Sequence, residues 1–205
     1  MASIFRTPGY IPLRRIHLIQ TITIICTSLE AAGSLYAAWV AHSPSLLAFG
    51  GDSAIELLSA IVVLWEFNVN AENDRAATRA ARVAGTLLFA LAIYVVLISV
   101  MTLLGHDIPR STYLGIATLA AAAVIMPWLS QEKRKLSAVT GSAALKADAV
   151  QSGLCAYFSL IALTGLAVTA AWHVRWADPI AALVATPLIL WEGKETIQGK
   201  SCGCH

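Results

Sequence analysis

The fold class follows from residues 45–65, SLLAFGGDSAIELLSAIVVLW, a stretch that is apolar apart from its serines and two acids. About 20 such residues in helical form cross the ~30 Å hydrocarbon core of a bilayer. The acids, Asp52 and Glu56, are spaced i, i+4 and share one helix face. An ionised carboxylate is costly in hydrocarbon, so this pair needs a partner, a cavity or an ion. The stretch predicts a membrane-spanning helix that carries a cation or proton site.

The composition of the whole chain agrees with a membrane protein. Of its 205 residues, 58% are hydrophobic and only 13% are charged, and the mean hydropathy is +0.70. A net charge of +2 is too mild to indicate a nucleic-acid partner. We find no nucleophile and base at matched depth, no phosphate loop and no HExxH motif, so we do not expect an enzyme. The lipid bilayer is the expected environment.

Apolar runs recur along the chain at the spacing of a helical bundle. We predict an all-α integral membrane protein with six transmembrane helices inside a domain that covers residues 16–191. Residues 1–15 would precede this domain as a cytoplasmic segment, and residues 192–205 would follow it as a short cytoplasmic tail. The predicted spans are residues 16–41, 45–67, 82–104, 112–129, 144–171 and 176–191.

Basic residues are unevenly divided between the predicted loops. One set of loops carries only Arg110 and Arg175. Because cytoplasmic loops are rich in Lys and Arg, the opposite set is predicted to be cytoplasmic, together with both termini. This pattern favours the inner (plasma) membrane of a bacterium. The cytoplasmic set comprises Arg6, Arg14, Arg15, Arg75, Arg79, Arg82, Lys133, Arg134 and Lys135.

Two further predicted helices carry polar residues at a depth similar to that of the Asp52 and Glu56 pair. Glu30, in the first helix, lies about as far before the 42–44 turn as Glu56 lies after it. It is either a third acid of the site or a hydrogen-bonding residue between helices. In the fifth helix Asp148, Gln151 and Cys155 recur at i, i+3 and i+7 and share one face.

Depth matching predicts a four-ligand cage between the second and fifth helices. The two helices are antiparallel, which places Cys155 near Asp52, Gln151 near Glu56, and Asp148 closer to the cytoplasm. Two carboxylates, a thiolate and an amide oxygen suit zinc better than magnesium or calcium. Alternatively, Cys155 is a small buried apolar residue and Gln151 bonds a backbone carbonyl.

The last four residues combine two thiols and an imidazole in the sequence Cys202-Gly-Cys204-His205. Such a tail can chelate soft or borderline metals, although it lacks the spacing of a folded zinc module. The tail is therefore either a device for metal capture or an ordinary chain end.

The chain resembles the cation diffusion facilitator family of divalent-metal transporters over most of residues 16–199. That family carries an Asp- or His-x-x-x-Asp pair in its second helix, which Asp52-Ser-Ala-Ile-Glu56 is similar to. Its fifth helix carries Ala-Asp-x-x-His-x-x-x-Asp. Here residues 147–155, ADAVQSGLC, keep the opening but have Gln151 and Cys155 at the ligand positions. The resemblance is greatest to a short branch without the usual cytoplasmic C-terminal domain.

The resemblance implies a homodimer that exports Zn²⁺ or a similar ion by alternating access, in exchange for protons. A cysteine ligand would shift the preference towards Cd²⁺ or another soft metal. Two other functions remain open. One is a non-transporting membrane protein that binds and buffers metal, and the other is a proton-coupled exporter of small molecules that uses Glu30, Asp52 and Glu56 for protons only.

Overall fold

The structure is a computed structural model that describes residues 10–69, 74–105, 110, 112–172 and 174–198. These residues form six α-helices, so the predicted all-α fold is confirmed. The N-terminal residues 1–9 and the Cys202-Gly-Cys204-His205 tail lie outside the described residues. The helices are α1 (Tyr10–Ala41), α2 (Pro44–Val69), α3 (Asp74–Leu103), α4 (Tyr113–Thr140), α5 (Ala143–Trp172) and α6 (Ala177–Gln198).

The surface and the interior have the polarity of a membrane protein. Helices α1 to α5 each contain a segment long and apolar enough to cross a bilayer. Large apolar side chains cover the outside, among them Trp39, Tyr113 and Val124, which are 84%, 94% and 75% exposed. Many buried side chains are polar, although buried apolar ones are more numerous, and this share of buried polar groups is unusual for a water-soluble protein. Together these features show a multi-pass integral membrane protein.

Helix α2 lies at the centre of the bundle. Helices α1, α2, α4 and α5 form a ring in which each contacts two others of the ring, through the pairs α1–α2, α2–α5, α4–α5 and α1–α4. Helices α3 and α6 pack together as a pair beside this ring and both contact α2. A side chain on α2 can therefore face α1, α5 or α6, and this position explains how its acids reach several partners.

The helices α4 and α5 are joined by a tight turn at residues 141–142. Gly141 adopts the left-handed conformation (φ 70°) and donates its N–H to the Ser137 carbonyl at 2.8 Å, which ends α4. The predicted fourth span ended at residue 129, with Lys133 in a cytoplasmic loop. The structure corrects this, because α4 continues to Thr140 and buries Lys133 completely. The charge of Lys133 is tolerated in the interior because acids of other helices surround it.

The end of α6 also differs from the sequence prediction. The predicted span stopped at residue 191, whereas α6 continues to Gln198 and buries Glu192. Close packing of α3 against α6 holds this last part in place. A Cβ atom on Gly85 would lie 2.7 Å from the Gly193 carbonyl oxygen, so only glycine permits this approach of the two backbones. Residue 192 is thus an interior position and not the start of a tail.

Hydrogen bonds and ion pairs join the helices at both ends of the bundle. At one end, Asp178 at the start of α6 accepts hydrogen bonds from the hydroxyls of Ser43 (2.8 Å) and Ser45 at the start of α2. At the other end, Glu132 of α4 accepts a hydrogen bond from Arg15 of α1 at 2.8 Å. The candidate site lies between these two contacts.

Candidate cation site

The site is built around one face of α2. Asp52 and Glu56 are both completely buried, as their i, i+4 spacing in an apolar helix predicts. The intervening Ser53 donates its hydroxyl to the Phe49 carbonyl at 3.0 Å, so this hydrogen is not donated to either acid. Because α2 is central, these two carboxyl groups face neighbouring helices and not lipid.

Glu192 of α6 completes the site at Asp52. Its side chain is 4% exposed, and its carboxyl group lies within hydrogen-bonding reach of the Asp52 carboxyl. None of the four oxygens of this pair accepts a hydrogen bond of good geometry from the described residues, although the amide of Gln151 lies close to Glu192. Two carboxylates cannot both remain ionised in contact without a donor. The pair therefore requires a shared proton or a bound cation.

Glu192 was missed by the sequence prediction, which assigned it to the tail. The predicted sixth span, residues 176–191, is shorter than the roughly 20 residues that a membrane crossing needs. Extending that span at its C-terminal end to the required length would have placed Glu192 inside the membrane. The short apolar run was thus a usable signal.

The predicted face of α5 points towards the site, but its residues contact different partners from those expected. Cys155 is buried beside Glu56, and its sulfur lies 3.9 Å from the Ser53 hydroxyl. Gln151 is half-buried and lies next to Glu192 of α6. Depth matching had paired Cys155 with Asp52 and Gln151 with Glu56.

Ser152 takes the place predicted for Gln151. It donates its hydroxyl to Glu56 Oε1 at 2.5 Å. Gln151 and Ser152 lie on opposite flanks of the face that runs through Asp148 and Cys155, since adjacent residues are about 100° apart around a helix. Ser152 is therefore directed to α2, and Gln151 is directed to α6, which sequence alone did not place beside α5.

Asp148 lies at the far end of the same face, in an ion pair. Its Oδ2 is 2.9 Å from Lys133 Nζ and accepts a hydrogen bond from Gln20 of α1 at 2.7 Å. Lys133 also approaches Glu56 Oε1 at 3.9 Å. Asp148 is thus joined to Glu56 through Lys133 and not by direct contact.

Glu30 belongs to the same group of acids. It is 5% exposed on α1 and lies within electrostatic range of both Glu56 and Asp52. Its Oε2 receives no hydrogen bond from the described residues. The structure therefore brings the three acids of α1 and α2 together, as their similar depth predicts.

The group as a whole carries an excess of negative charge. Lys133 is the one Lys or Arg side chain that the described part of the chain buries. The buried acids of the group are Glu30, Asp52, Glu56, Asp148 and Glu192, of which Glu56 and Asp148 lie 3.9 and 2.9 Å from the Lys133 ammonium. Protons or cations must balance this excess, because unpaired charges are expensive in a low-dielectric interior.

In this conformation the acids do not form a closed metal cage. Within the described residues, no three His, Cys, Asp or Glu side chains are grouped closely enough to hold a metal ion. Asp52 with Glu192, and Glu56 with Cys155, form two adjacent pairs instead. The ligand set of Asp52, Glu56, Gln151 and Cys155 stays a prediction.

Comparison with known proteins identifies the family. Residues 21–197 match the model of the cation efflux transmembrane domain, which covers all six helices except the first part of α1 and the last residue of α6. A search of curated proteins finds no significant match. The family is one of transporters, and its cargo is divalent metal cations. The resemblance drawn from the second and fifth helices is thus confirmed, and the chain belongs to the cation diffusion facilitator family of divalent-cation transporters.

Proposed function

We propose that the protein exports Zn²⁺ or a similar divalent cation in exchange for protons. Asp52, Glu56 and Glu192 would bind the cation, with Cys155 and Gln151 as further ligands. The observation that carries this proposal is the contact between the buried carboxyl groups of Asp52 and Glu192. Such a pair has one stable form with a shared proton and another with a bound cation.

Exchange between the protonated form and the cation-bound form of this pair couples the proton flux to the cation flux. A cation that binds between Asp52 and Glu192 displaces their proton, and a returning proton displaces the cation, because metal ligands must be deprotonated. If the two forms favour openings to opposite sides of the membrane, proton entry drives cation exit by alternating access. The proton gradient and the cation flux are then linked at the same oxygens.

Cys155 supports a borderline or soft ion over magnesium or calcium. Its sulfur lies beside Glu56, so a carboxyl group and a thiol, which would lose its proton to a bound metal, are available together. Thiolates bind Zn²⁺ and Cd²⁺ well, whereas Mg²⁺ and Ca²⁺ prefer oxygen ligands. The Cys202-Gly-Cys204-His205 tail would add metal capture on the cytoplasmic side.

The distribution of basic residues supports an orientation of the protein in the membrane. Arg14, Arg15, Arg134 and Lys135 lie at the end of the bundle where α4 joins α5, and Arg175 lies at the other end. By the positive-inside rule, the first end and both termini would be cytoplasmic, and this pattern favours the inner membrane of a bacterium. The resemblance to the cation diffusion facilitators supports a homodimer.

Transport by purified protein tests the proposal. Proteoliposomes that contain a zinc-sensitive dye would be given Zn²⁺ with and without a pH gradient. We expect a Zn²⁺ flux that follows the pH gradient and disappears in Asp52→Asn. Glu195→Gln, which removes a half-buried acid one turn from Glu192, is the matched control and should retain the flux. A flux that Asp52→Asn leaves unchanged would disprove the site.

A further inference from the structure

Lys133 lies in the interior of the bundle, but it has no role in the transport cycle proposed above. Its side chain is 0% exposed, although it lies in a sequence of three consecutive basic residues, 133–135. Its neighbour Lys135 is 67% exposed and bonds Glu132 at the surface. A lysine is almost never buried unless it is paired, so the surroundings of Lys133 must stabilise its charge.

Three groups from two helices surround the Lys133 ammonium. It lies 2.9 Å from Asp148 Oδ2 and 3.9 Å from Glu56 Oε1, and it donates a hydrogen bond to the Ser152 hydroxyl at 2.7 Å. Ser152 in turn donates to Glu56 Oε1. A continuous chain of contacts thus runs from Asp148 through Lys133 and Ser152 to Glu56.

These contacts connect Lys133 to Glu56 but not to the carboxyl pair of Asp52 and Glu192. Glu56 Oε1 accepts a hydrogen bond from the Ser152 hydroxyl and faces the Lys133 ammonium. Glu56 Oε2 accepts no hydrogen bond from the described residues. Asp52 and Glu192 have no such basic neighbour among those residues. The positive charge of Lys133 is therefore directed at the Glu56 end of the site.

A divalent cation bound at Glu56 would be close to this fixed positive charge. Like charges a few ångströms apart repel strongly in a protein interior, far more than in water. The same carboxylate oxygen cannot be fully available to both the ammonium and the metal. Lys133 must weaken metal binding at Glu56, shift away from Glu56 while it keeps its 2.9 Å contact with Asp148, or do both.

On the basis of the proposed function, we propose that Lys133 is an internal counter-cation, a positively charged side chain that competes with the transported metal for Glu56. Without metal, its single positive charge offsets part of the negative charge of Glu56 and Asp148. With metal bound, Asp148 holds Lys133 away from Glu56. Lys133 thereby limits the affinity of the site so that the cation is released, and Asp148 acts as a positioning residue for Lys133 and not as a metal ligand.

Opposite effects of two substitutions test this inference. Lys133→Met removes the competitor, so Zn²⁺ should bind about tenfold or more tightly, and transport should show a lower KM and a lower maximal rate. Asp148→Asn leaves Glu56 as the nearest acid of Lys133, so Zn²⁺ affinity should fall. Calorimetric titration of the full-length protein in detergent and initial rates in proteoliposomes give the two readouts.

The double variant Lys133→Met with Asp148→Asn tests the role of Asp148 in a protein that is expected to fold. It leaves no unpaired charge at either position, so it should fold even if Lys133→Met alone does not. We expect its Zn²⁺ affinity to exceed that of the wild type. Lys135→Met, which changes an exposed lysine on the same helix, is the matched control and should leave Zn²⁺ affinity unchanged.

Several results would overturn the inference. Weaker Zn²⁺ binding by the double variant would make Asp148 a ligand, and unchanged affinity would make the ion pair purely structural. In both cases, a Zn²⁺ flux through the wild-type protein would leave the proposed function intact. Absence of both Zn²⁺ binding and flux in the wild type would overturn the proposed function, and this inference with it.

Discussion

The carboxyl group of Asp52 on α2 lies against the carboxyl group of Glu192 on α6 in the interior of the helical bundle. The two residues are far apart in the sequence and meet because α6 contacts the central α2. The close approach of α3 and α6 at Gly85 and Gly193 fixes the last turns of α6, and hence Glu192, in this position. The packing of small residues is thus directly linked to the chemistry of the site.

Glu192→Gln should strongly reduce cation transport without unfolding the protein. The new amide can donate a hydrogen bond to Asp52, which stabilises the pair but removes the negative charge that a cation requires. Loss of a residue that only hydrogen-bonds to a metal ligand lowers metal affinity about 10–100-fold. Because Glu192 would be a ligand itself, we expect at least this loss in Zn²⁺ affinity. Calorimetric titration measures it. Equal affinity of Glu192→Gln and wild type would exclude Glu192 from the site.

Cys155→Ser should change which metal is preferred. Replacement of a thiolate by a hydroxyl removes a soft ligand, so Cd²⁺ transport should fall more than Zn²⁺ transport. The measurement is the ratio of Cd²⁺ to Zn²⁺ initial rates in proteoliposomes. Cys26→Ser, at a half-buried position on α1, is the control and should leave the ratio unchanged. The same ratio in Cys155→Ser and wild type would reduce Cys155 to a packing residue.

Gly85→Ala should destabilise the contact between α3 and α6. The added methyl group would meet the backbone oxygen of Gly193 at 2.7 Å, which cannot move without shifting the helix. Overpacking of this kind costs about 1–3 kcal/mol. We expect a lower melting temperature in detergent and a lower transport rate. Gly33→Ala is the control, because its nearest neighbour is the end of the Thr118 side chain at 3.2 Å.

Asp178→Ala should lower stability without altering ion preference. Asp178 accepts hydrogen bonds from Ser43 and Ser45, and its removal leaves these two buried hydroxyls without their acceptor. An unsatisfied buried polar group costs about 1–3 kcal/mol. Thermal unfolding should show this loss, while the ratio of Cd²⁺ to Zn²⁺ rates should stay that of the wild type. A changed ratio would mean that Asp178 contributes to the cation pathway.

The sequence was sufficient to predict the helices and one half of the site. Asp52 and Glu56 were identifiable because two acids at i, i+4 interrupt an otherwise apolar run, and their burial on one face needs only helix geometry. The common face of Asp148, Gln151 and Cys155 was predictable in the same way. Each of these predictions depends on a single helix and its periodicity.

The sequence was not sufficient for Glu192 and Lys133. Both lie just beyond an apolar run, where hydropathy alone suggests the water interface. Lys133 is buried because Asp148 of α5 offsets its charge. Glu192 is buried against Asp52 of α2, an acid with which it can share a proton or a cation. The short sixth apolar run was a signal for the burial of Glu192. Pairings between distant helices leave no local pattern, however, so the partners of Glu192 and Lys133 emerge only from the packed bundle.

The most direct test of the central claim is an anomalous-difference map, recorded at the zinc absorption edge from crystals grown with Zn²⁺. We predict a peak about 2.0–2.2 Å from carboxylate oxygens of Asp52 and Glu192, near Glu56 and Cys155, and no peak there in Glu192→Gln crystals. A peak elsewhere in the bundle, with these two carboxyl groups still in contact, would contradict the claim that they bind the transported cation.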